Sequence, residues 1–279
     1  MAVDTVALPD GERVPALGLG TWMMGEDPAR RREETAAVRL GVDLGMALVD
    51  TAEMYGEGRT EQFLGEALQG LRDRVFLVSK VYPRNASRQG VQRACERSLG
   101  RLRTDRLDLY LLHWPGSEPL AETVAGFEDL RAAGKIRSWG VSNFDTGDLD
   151  ALFALPAGGR CAVNQALYNL SRRGPEFGLL PWMDARGLPL MAYSPLEQGR
   201  LPRGGALGEI AAGRGVTPWQ AALAWVLRRP GTIAIPKAAA EEHVRQNRAA
   251  LELRLSEQDL ARLDAQFAPP RRRRPLEML

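Results

Sequence analysis

Cysteine and histidine are scarce. The 279 residues hold two of each: Cys95, Cys161, His113 and His243. Two cysteines build no disulfide framework, which fits a reducing compartment, and a cytoplasmic location is expected. Cys95 lies in the helical pattern VQRACERSLGRL and reads as a small buried hydrophobe. No cysteine and histidine fall at ligand spacing, so no metal site is expected. Long apolar runs are also missing. No stretch approaches eighteen residues, so no membrane-spanning helix is expected. The opening MAVDTVALPDGERV carries acids and no apolar core, and does not read as a signal peptide. Neither charge sign is in excess: 37 basic residues face 35 acidic ones, a net +2. That balance gives no reason to expect nucleic acid as a partner. The one basic cluster, 271–274, reads as a solvated tail.

What is present is a repeating alternation. A turn at Asp10-Gly11, between TVAL and RVPAL, predicts an N-terminal hairpin. Eight short apolar runs follow, at 16–21, 47–52, 74–80, 107–113, 137–142, 162–167, 188–194 and 232–237. Their interiors are apolar rather than alternating, as in parallel strands covered on both faces. Helical patterns separate them. In RTEQFLGEALQGL, Thr60 is placed to cap; TPWQAALAWVLRR opens with Thr217 as cap and Pro218 at the first helical position. Eight repeats at even spacing favour a closed (β/α)8 TIM barrel over an open doubly wound sheet. No linker divides the chain, so residues 1–279 are expected to form one domain. The longest glycine-rich loop, 197–207, follows the seventh run, where a barrel often handles a ligand.

Polar residues gather where the runs end: Asp50 and Thr51, Lys80, His113, Ser142 and Asn143, Tyr193 and Ser194, Lys237, with Asn164 and Gln165 inside the sixth run. In a β/α barrel those ends converge on one face. Each has an ordinary reading alone. Asp50 can cap a loop, Lys80 can snorkel, His113 can be a bonded core histidine, and Tyr55 can be an exposed loop aromatic. Together they suit proton donation to a carbonyl oxygen. A phenol keeps its proton at neutral pH; a neighbouring ammonium stabilises the phenolate and lowers its pKa. Asp50 would hold Lys80 charged, and a neutral His113 would bond the carbonyl oxygen. No serine or cysteine nucleophile accompanies a base, so acyl transfer is not suggested.

The ordered set GLGTW (18–22), VDTAEMYG (49–56), VSK (78–80), LLHWP (111–115), GVSNF (140–144), NQ (164–165), AYSPL (192–196) and IPK (235–237) resembles the aldo-keto reductase family. The resemblance runs from Leu17 to about Asn247 and looks most like bacterial members described as methylglyoxal or general aldehyde reductases. It implies a nicotinamide cofactor bound without a Rossmann domain. Consistently, Gly18-Leu19-Gly20 lacks the third glycine of GxGxxG. It implies Tyr55 as general acid, tuned by Lys80 and Asp50, with His113 orienting a small aldehyde or ketone. Trp22, Tyr55, His113 and Trp114 would line the substrate pocket, with Met54 and Tyr82 as further candidates or as ordinary packing. Tyr193 would stack on the nicotinamide, while Ser142, Asn143 and Gln165 hold its carboxamide. Gly20, Thr21 and Trp22 would line the ribose side, with Asp50 also near the cofactor. Ser194, Leu196, Gln198 and Gly199 would follow the pyrophosphate. Lys237, His243, Gln246 and Asn247 would meet the adenosine end.

Two departures stand out. Family members follow IPK with serine and place arginine six residues after the lysine; here those positions hold Ala238 and His243. NADPH is the expected cofactor, with NADH as the alternative and Arg245 or Arg248 as substitute cations. The segment after 256–267 is short, APPRRRRPLEML, which implies an open pocket and broad specificity. Two other functions fit the pattern: a Schiff-base lyase with Lys80 as nucleophile, and a non-catalytic subunit using the cofactor as a redox sensor. A monomer acting on a small carbonyl compound is the expectation; methylglyoxal, other dicarbonyls, sugars and aromatic aldehydes all fit.

Overall fold

A computed structural model describes residues 3–279. A hairpin comes first: β1 (Thr5–Ala7) pairs antiparallel with β2 (Arg13–Pro15). The turn spans Pro9, Asp10 and Gly11, because Leu8 N donates to Glu12 O at 2.8 Å and Gly11 N to Leu8 O at 2.9 Å. Gly11 sits at φ 90°, which only glycine adopts freely, so the turn uses the residue that announced it.

Each of the eight apolar runs becomes a strand. They are β3 (Leu19–Gly20), β4 (Leu48–Asp50), β5 (Phe76–Val81), β6 (Leu107–Leu112), β7 (Ile136–Ser142), β8 (Asn164–Leu167), β9 (Leu190–Tyr193) and β10 (Thr232–Ala234). They pair in parallel and in chain order. Parallel bridges Leu17–Ala234 and Gly20–Lys237 join the last strand to the first. Gly18 N donates to Ala234 O, and Ala234 N to Ala16 O, both at 2.8 Å. The sheet therefore closes into a (β/α)8 barrel. Gly20 permits the closure: a Cβ there would lie 2.6 Å from the Ile235 carbonyl oxygen.

The helices that return the chain are α1 (Arg31–Asp43), α2 (Arg59–Ala67), α3 (Arg88–Leu102), α4 (Leu120–Ala132), α5 (Thr146–Phe153), α6 (Leu179–Asp184), α7 (Gly205–Gly213) and α8 (Pro218–Leu227). Past the last strand come α9 (Glu241–Ala249) and α10 (Glu257–Gln266). Thr217 caps α8 through a capping box with Gln220, and Pro218 occupies the first helical position. Thr60 does not cap α2. Gly58 (φ 89°) precedes the helix, and the Thr60 hydroxyl donates to Met24 O at 2.8 Å instead. The helix starts one residue before Thr60, which therefore lies inside it and serves as a tertiary tie. No helix among the described residues is long and apolar enough to cross a membrane.

Two cores result from strand alternation. Leu19, Val49, Leu77, Tyr110, Leu112 and Val141 face the helices. Leu48, Val78, Leu109, Leu111, Val163, Met191 and Ile233 face inward and pack with Val6, Leu8, Val14 and Ala16 of the hairpin segment, which stoppers one end of the barrel. Successive side chains alternate across a strand. Two residues beyond Leu48 is Asp50; beyond Val78, Lys80; beyond Leu111, His113; beyond Val163, Gln165; beyond Met191, Tyr193. The same parity that fills the barrel thus delivers its polar side chains to the opposite mouth.

Candidate active site

Lys80 is the centre of the mouth. Its side chain is 0% exposed, yet its ammonium spends three donors: on Asp50 Oδ2 at 2.8 Å, Thr51 O at 2.9 Å and Tyr55 Oη at 3.1 Å. Such burial of a charge is tolerable only with full pairing. The other Asp50 oxygen accepts from Gln165 Nε2 at 2.8 Å, from a strand four places round the barrel. Tyr55 lies in a short 3-10 turn (Tyr55–Gly58) after β4, where Gly56 and Glu57 take positive φ and fold the phenol back over Lys80. The Tyr55 and His113 rings meet edge-on, 5.8 Å between centroids. The structure thus gathers Asp50, Tyr55, Lys80 and His113 at one place.

Burial governs the electrostatics. It pushes the Asp50 carboxyl up, against Lys80 and Gln165. It opposes the Lys80 ammonium, but Asp50 and Tyr55 outweigh it and the net shift is upward, so Lys80 stays charged. The Tyr55 phenol is also shifted up: desolvation exceeds the pull of Lys80, and Asp50 adds to it. Lys80 lowers it as expected, but desolvation is the larger effect. The phenol keeps its proton firmly until an acceptor arrives. His113 is held well below the usual imidazole range, first by burial and then by Lys80, so it is neutral. Its Nδ1 is buried without a hydrogen-bond partner.

Around this centre, His113 packs on Trp114 at 4.8 Å and Trp114 on Tyr82 at 5.0 Å. Trp22, 44% exposed, and Met54 stand at the rim. The Thr21 hydroxyl donates to Asp50 O at 2.8 Å, so it ties β3 to β4. Asn143 (φ 58°) donates to His113 O and to Ser142 Oγ, both at 3.1 Å, and accepts from Tyr193 Oη at 3.0 Å. Asn164 faces outward and bonds Phe144. Gly20 and Ser142 are buried.

The loop after β9 is unusual. Ser194, Glu197, Gln198 and Gly199 all take positive φ, of 44°, 49°, 54° and 80°. Three non-glycine residues in that region carry strain that surrounding contacts must hold. Leu196 lies in this loop, and Gln198 and Gly199 are exposed. Farther round, Lys237 is exposed at the end of β10. Desolvation lowers its pKa, Arg30 lowers it further, and Glu34 and Glu33 oppose. His243 is exposed in the first turn of α9, Gln246 donates to Glu242 at 2.7 Å and Asn247 is buried. Of the two proposed substitute cations, Arg245 lies 3.9 Å from Glu241, and Arg248 donates to Leu44 O at 3.2 Å.

Several participants went unread in the sequence. Glu53 accepts from Tyr82 N at 2.8 Å and Asn85 Nδ2 at 2.9 Å, fixing the wall opposite Tyr55. Arg30, near Lys237, ends the 3-10 turn Pro28–Arg30 capped by Asp27, just before α1. The segment after α10 lies along one side of the mouth. Arg273 donates to Thr146 Oγ1 at 2.7 Å, and Glu277 accepts from Arg172 at 2.7 Å. Arg273 is therefore not simply solvated, although 271–274 are exposed as expected. Among the described residues, no three His, Cys, Asp or Glu side chains form a group able to hold a metal ion.

Known proteins share this arrangement along nearly the whole chain. It is 53% identical over 271 residues to methylglyoxal reductase YeaE of Escherichia coli (strain K12), covering 95% of each. It is 33% identical to glyoxal reductase of Bacillus subtilis (strain 168), covering 94% of this chain and 92% of that one. Its fold superposes on the crystal structure of an aldo-keto reductase from Klebsiella pneumoniae in complex with NADPH, with TM-score 0.97, 53% identity and full coverage of both chains. Residues 16–267 match the sequence profile of the Aldo/keto reductase family, and with the barrel and the Lys80-centred mouth in place, the chain belongs to that family.

Proposed function

We propose that the chain is an NADPH-dependent reductase of small aldehydes and ketones, dicarbonyls such as methylglyoxal among them. The observation that carries this reading is the buried contact of Lys80 Nζ with Tyr55 Oη at 3.1 Å and Asp50 at 2.8 Å, at the barrel mouth. The surrounding side chains fit a nicotinamide dinucleotide. Tyr193, Ser142, Asn143 and Gln165 border Asp50 and His113, where a ring and carboxamide would lie. Gly20, Thr21 and Trp22 lie on the ribose side. The positive-φ loop with Ser194, Leu196, Gln198 and Gly199 suits the pyrophosphate. Lys237 and α9, whose first turn has no side-chain cap, suit a phosphate, with His243, Gln246 and Asn247 beside it. When bound, the reduced nicotinamide supplies the hydride.

The protein's own work is to bind, orient and protonate. The carbonyl oxygen lies between Tyr55 and His113. His113 has its Nδ1 buried without an acceptor, and a buried N–H costs more than a bare lone pair, so the proton sits on Nε2 and is donated to the oxygen. Tyr55 gives up its proton as charge grows on that oxygen. The phenolate left behind faces the Lys80 ammonium, which Asp50 and Thr51 hold in place without reorganisation, Asp50 itself being fixed by Gln165. Trp22 and Trp114 wall the substrate. A lyase using Lys80 as nucleophile is disfavoured, because Asp50 keeps that amine charged. A monomer acting in the cytoplasm on a small carbonyl compound completes the reading: two buried free cysteines suit a reducing compartment, and the balanced charge offers nucleic acid no reason to bind; light scattering after size exclusion tests the monomer.

The test is Tyr55→Phe, assayed by NADPH consumption with methylglyoxal. Turnover falls by about 10²–10⁴-fold, the usual share of a general acid, while NADPH binding by fluorescence is retained. A variant with near-normal turnover removes Tyr55 from the role of acid.

A further inference from the structure

Arg172 joins two segments that the sequence keeps far apart. One side of its guanidinium holds Glu197 in the positive-φ loop after β9: Nε and Nη2 reach Glu197 Oε1 at 3.1 and 2.8 Å. Its third nitrogen, Nη1, reaches Glu277 Oε1 at 2.7 Å, in the segment that lies along one side of the mouth. Glu197 is 5% exposed, and its other oxygen accepts from Asn169 Nδ2 at 2.8 Å. Asn169 Nδ2 also donates to Ser194 O at 2.9 Å. Asn169 and Arg172 together grip both ends of the strained turn, at Ser194 and at Glu197.

We infer that Glu277 and Arg172 are positioning residues for the cofactor loop: the segment after α10 latches the 194–199 turn through Arg172 and so slows exchange of the dinucleotide. The inference rests on the reading of that turn as the pyrophosphate cover. The physical argument is one of stored strain and orientation. A turn with three non-glycine residues at positive φ relaxes unless its contacts over-determine it. Arg172 has a long flexible side chain, and both its faces must be occupied for it to stay in the plane that serves Glu197. Glu277 occupies the second face. A further contact seats the same segment: Arg273 on Thr146 at 2.7 Å. Leu276 packs against the outer core. The latch therefore spans the loops after β7, β8 and β9 at once.

The test compares the full-length protein with Glu277→Gln and Glu277→Arg. Glu277 is exposed, touches no proposed substrate or cofactor contact, and both variants are expected to keep the wild-type melting temperature. Stopped-flow displacement of bound NADPH, followed by its fluorescence, reads the release rate at low salt. Release is expected to quicken by about two- to fivefold in Glu277→Gln, the range a half-exposed ion pair can supply, and further in Glu277→Arg, which repels Arg172. The three rates are expected to converge in high salt, where the pair is screened. The single-turnover reduction rate stays unchanged, so a rise in kcat without loss of the chemical step marks release. Equal release rates in all three proteins at low salt overturn the latch. Gln198→Ala separates the two readings: if it leaves NADPH affinity unchanged, the turn does not cover the cofactor and the underlying reading fails; if it weakens affinity while the Glu277 variants release normally, only the latch fails.

Discussion

Replacing Lys80 by methionine measures how the buried charge at the mouth is compensated. The substitution removes three donors from Asp50, Thr51 and Tyr55, and leaves a carboxylate that is 2% exposed facing only Gln165. Breaking one side of a buried pair costs about 3–5 kcal/mol. At about 2.1 cal/mol/K per residue, a chain of this length unfolds with an entropy of about 0.6 kcal/mol/K, so the loss in melting temperature is about 5–9 °C. Asp50→Asn alone strands the ammonium and costs a similar amount. The double variant Lys80→Met, Asp50→Asn strands nothing, and is expected within about 1–2 kcal/mol of wild type. Its activity does not return, because the cation beside Tyr55 is gone. Differential scanning calorimetry and NADPH consumption on the four proteins complete the cycle. Relative to the wild type, which shares its His113 titration, Lys80→Met should gain stability as pH falls: burial raises the folded carboxyl above its unfolded value, so the folded state takes up the proton first. A double variant that loses the sum of the singles, or singles that each lose under about 1 kcal/mol, refutes the claim that these charges depend on each other.

The folded His113 pKa lies well below 6.5, so only the unfolded chain takes up a proton just under that pH. Stability then falls by up to about 1.4 kcal/mol per unit between pH 6.5 and 5.5, and urea melts of His113→Gln should lack that slope. Arg30 adds positive field at Lys237; Arg30→Ala should raise the KM for NADPH by about two- to fivefold and leave that for NADH unchanged, and equal changes for both cofactors would exclude a role at the 2′-phosphate. Burial pushes both Cys95 and Cys161 up to about 12. Neither thiol should react with a disulfide reagent at neutral pH in the native protein, and both should react in denaturant; a fast native reaction would show that a core segment opens.

Legibility followed the range of the physical cause. The strands and most helices rest on local patterns: apolar runs for β3 to β10, and the Thr217-Pro218 start of α8. Their order round the barrel could be inferred because parallel strands joined by right-handed crossovers pair in sequence order. The positions of Asp50, Lys80 and His113 were legible for the same reason, as the inward-facing residues one step past a packed hydrophobe. Thr60 shows the limit. Its sequence context suggests a cap, but the helix begins at Arg59 behind Gly58, and Thr60, already inside it, ties to Met24 O, 36 residues away.

What stayed hidden are contacts that no local rule encodes. Gln165 reaches Asp50 across 115 residues, and Arg172 reaches Glu277 across 105. Neither pair has a spacing to recognise, because only barrel closure brings them together. The Tyr55 phenol teaches the complementary lesson about magnitude. A list of neighbours gives the sign of the pull from Lys80, but the sign of the net shift depends on how much water the closed mouth removes. Burial is a property of the whole fold, so a charge inventory misjudges it even when every participant is named. A phenol raised by desolvation and flanked by a fixed ammonium holds its proton and releases it to an oxygen gaining negative charge. That conditional release follows from the depth of the site as much as from the identity of Lys80.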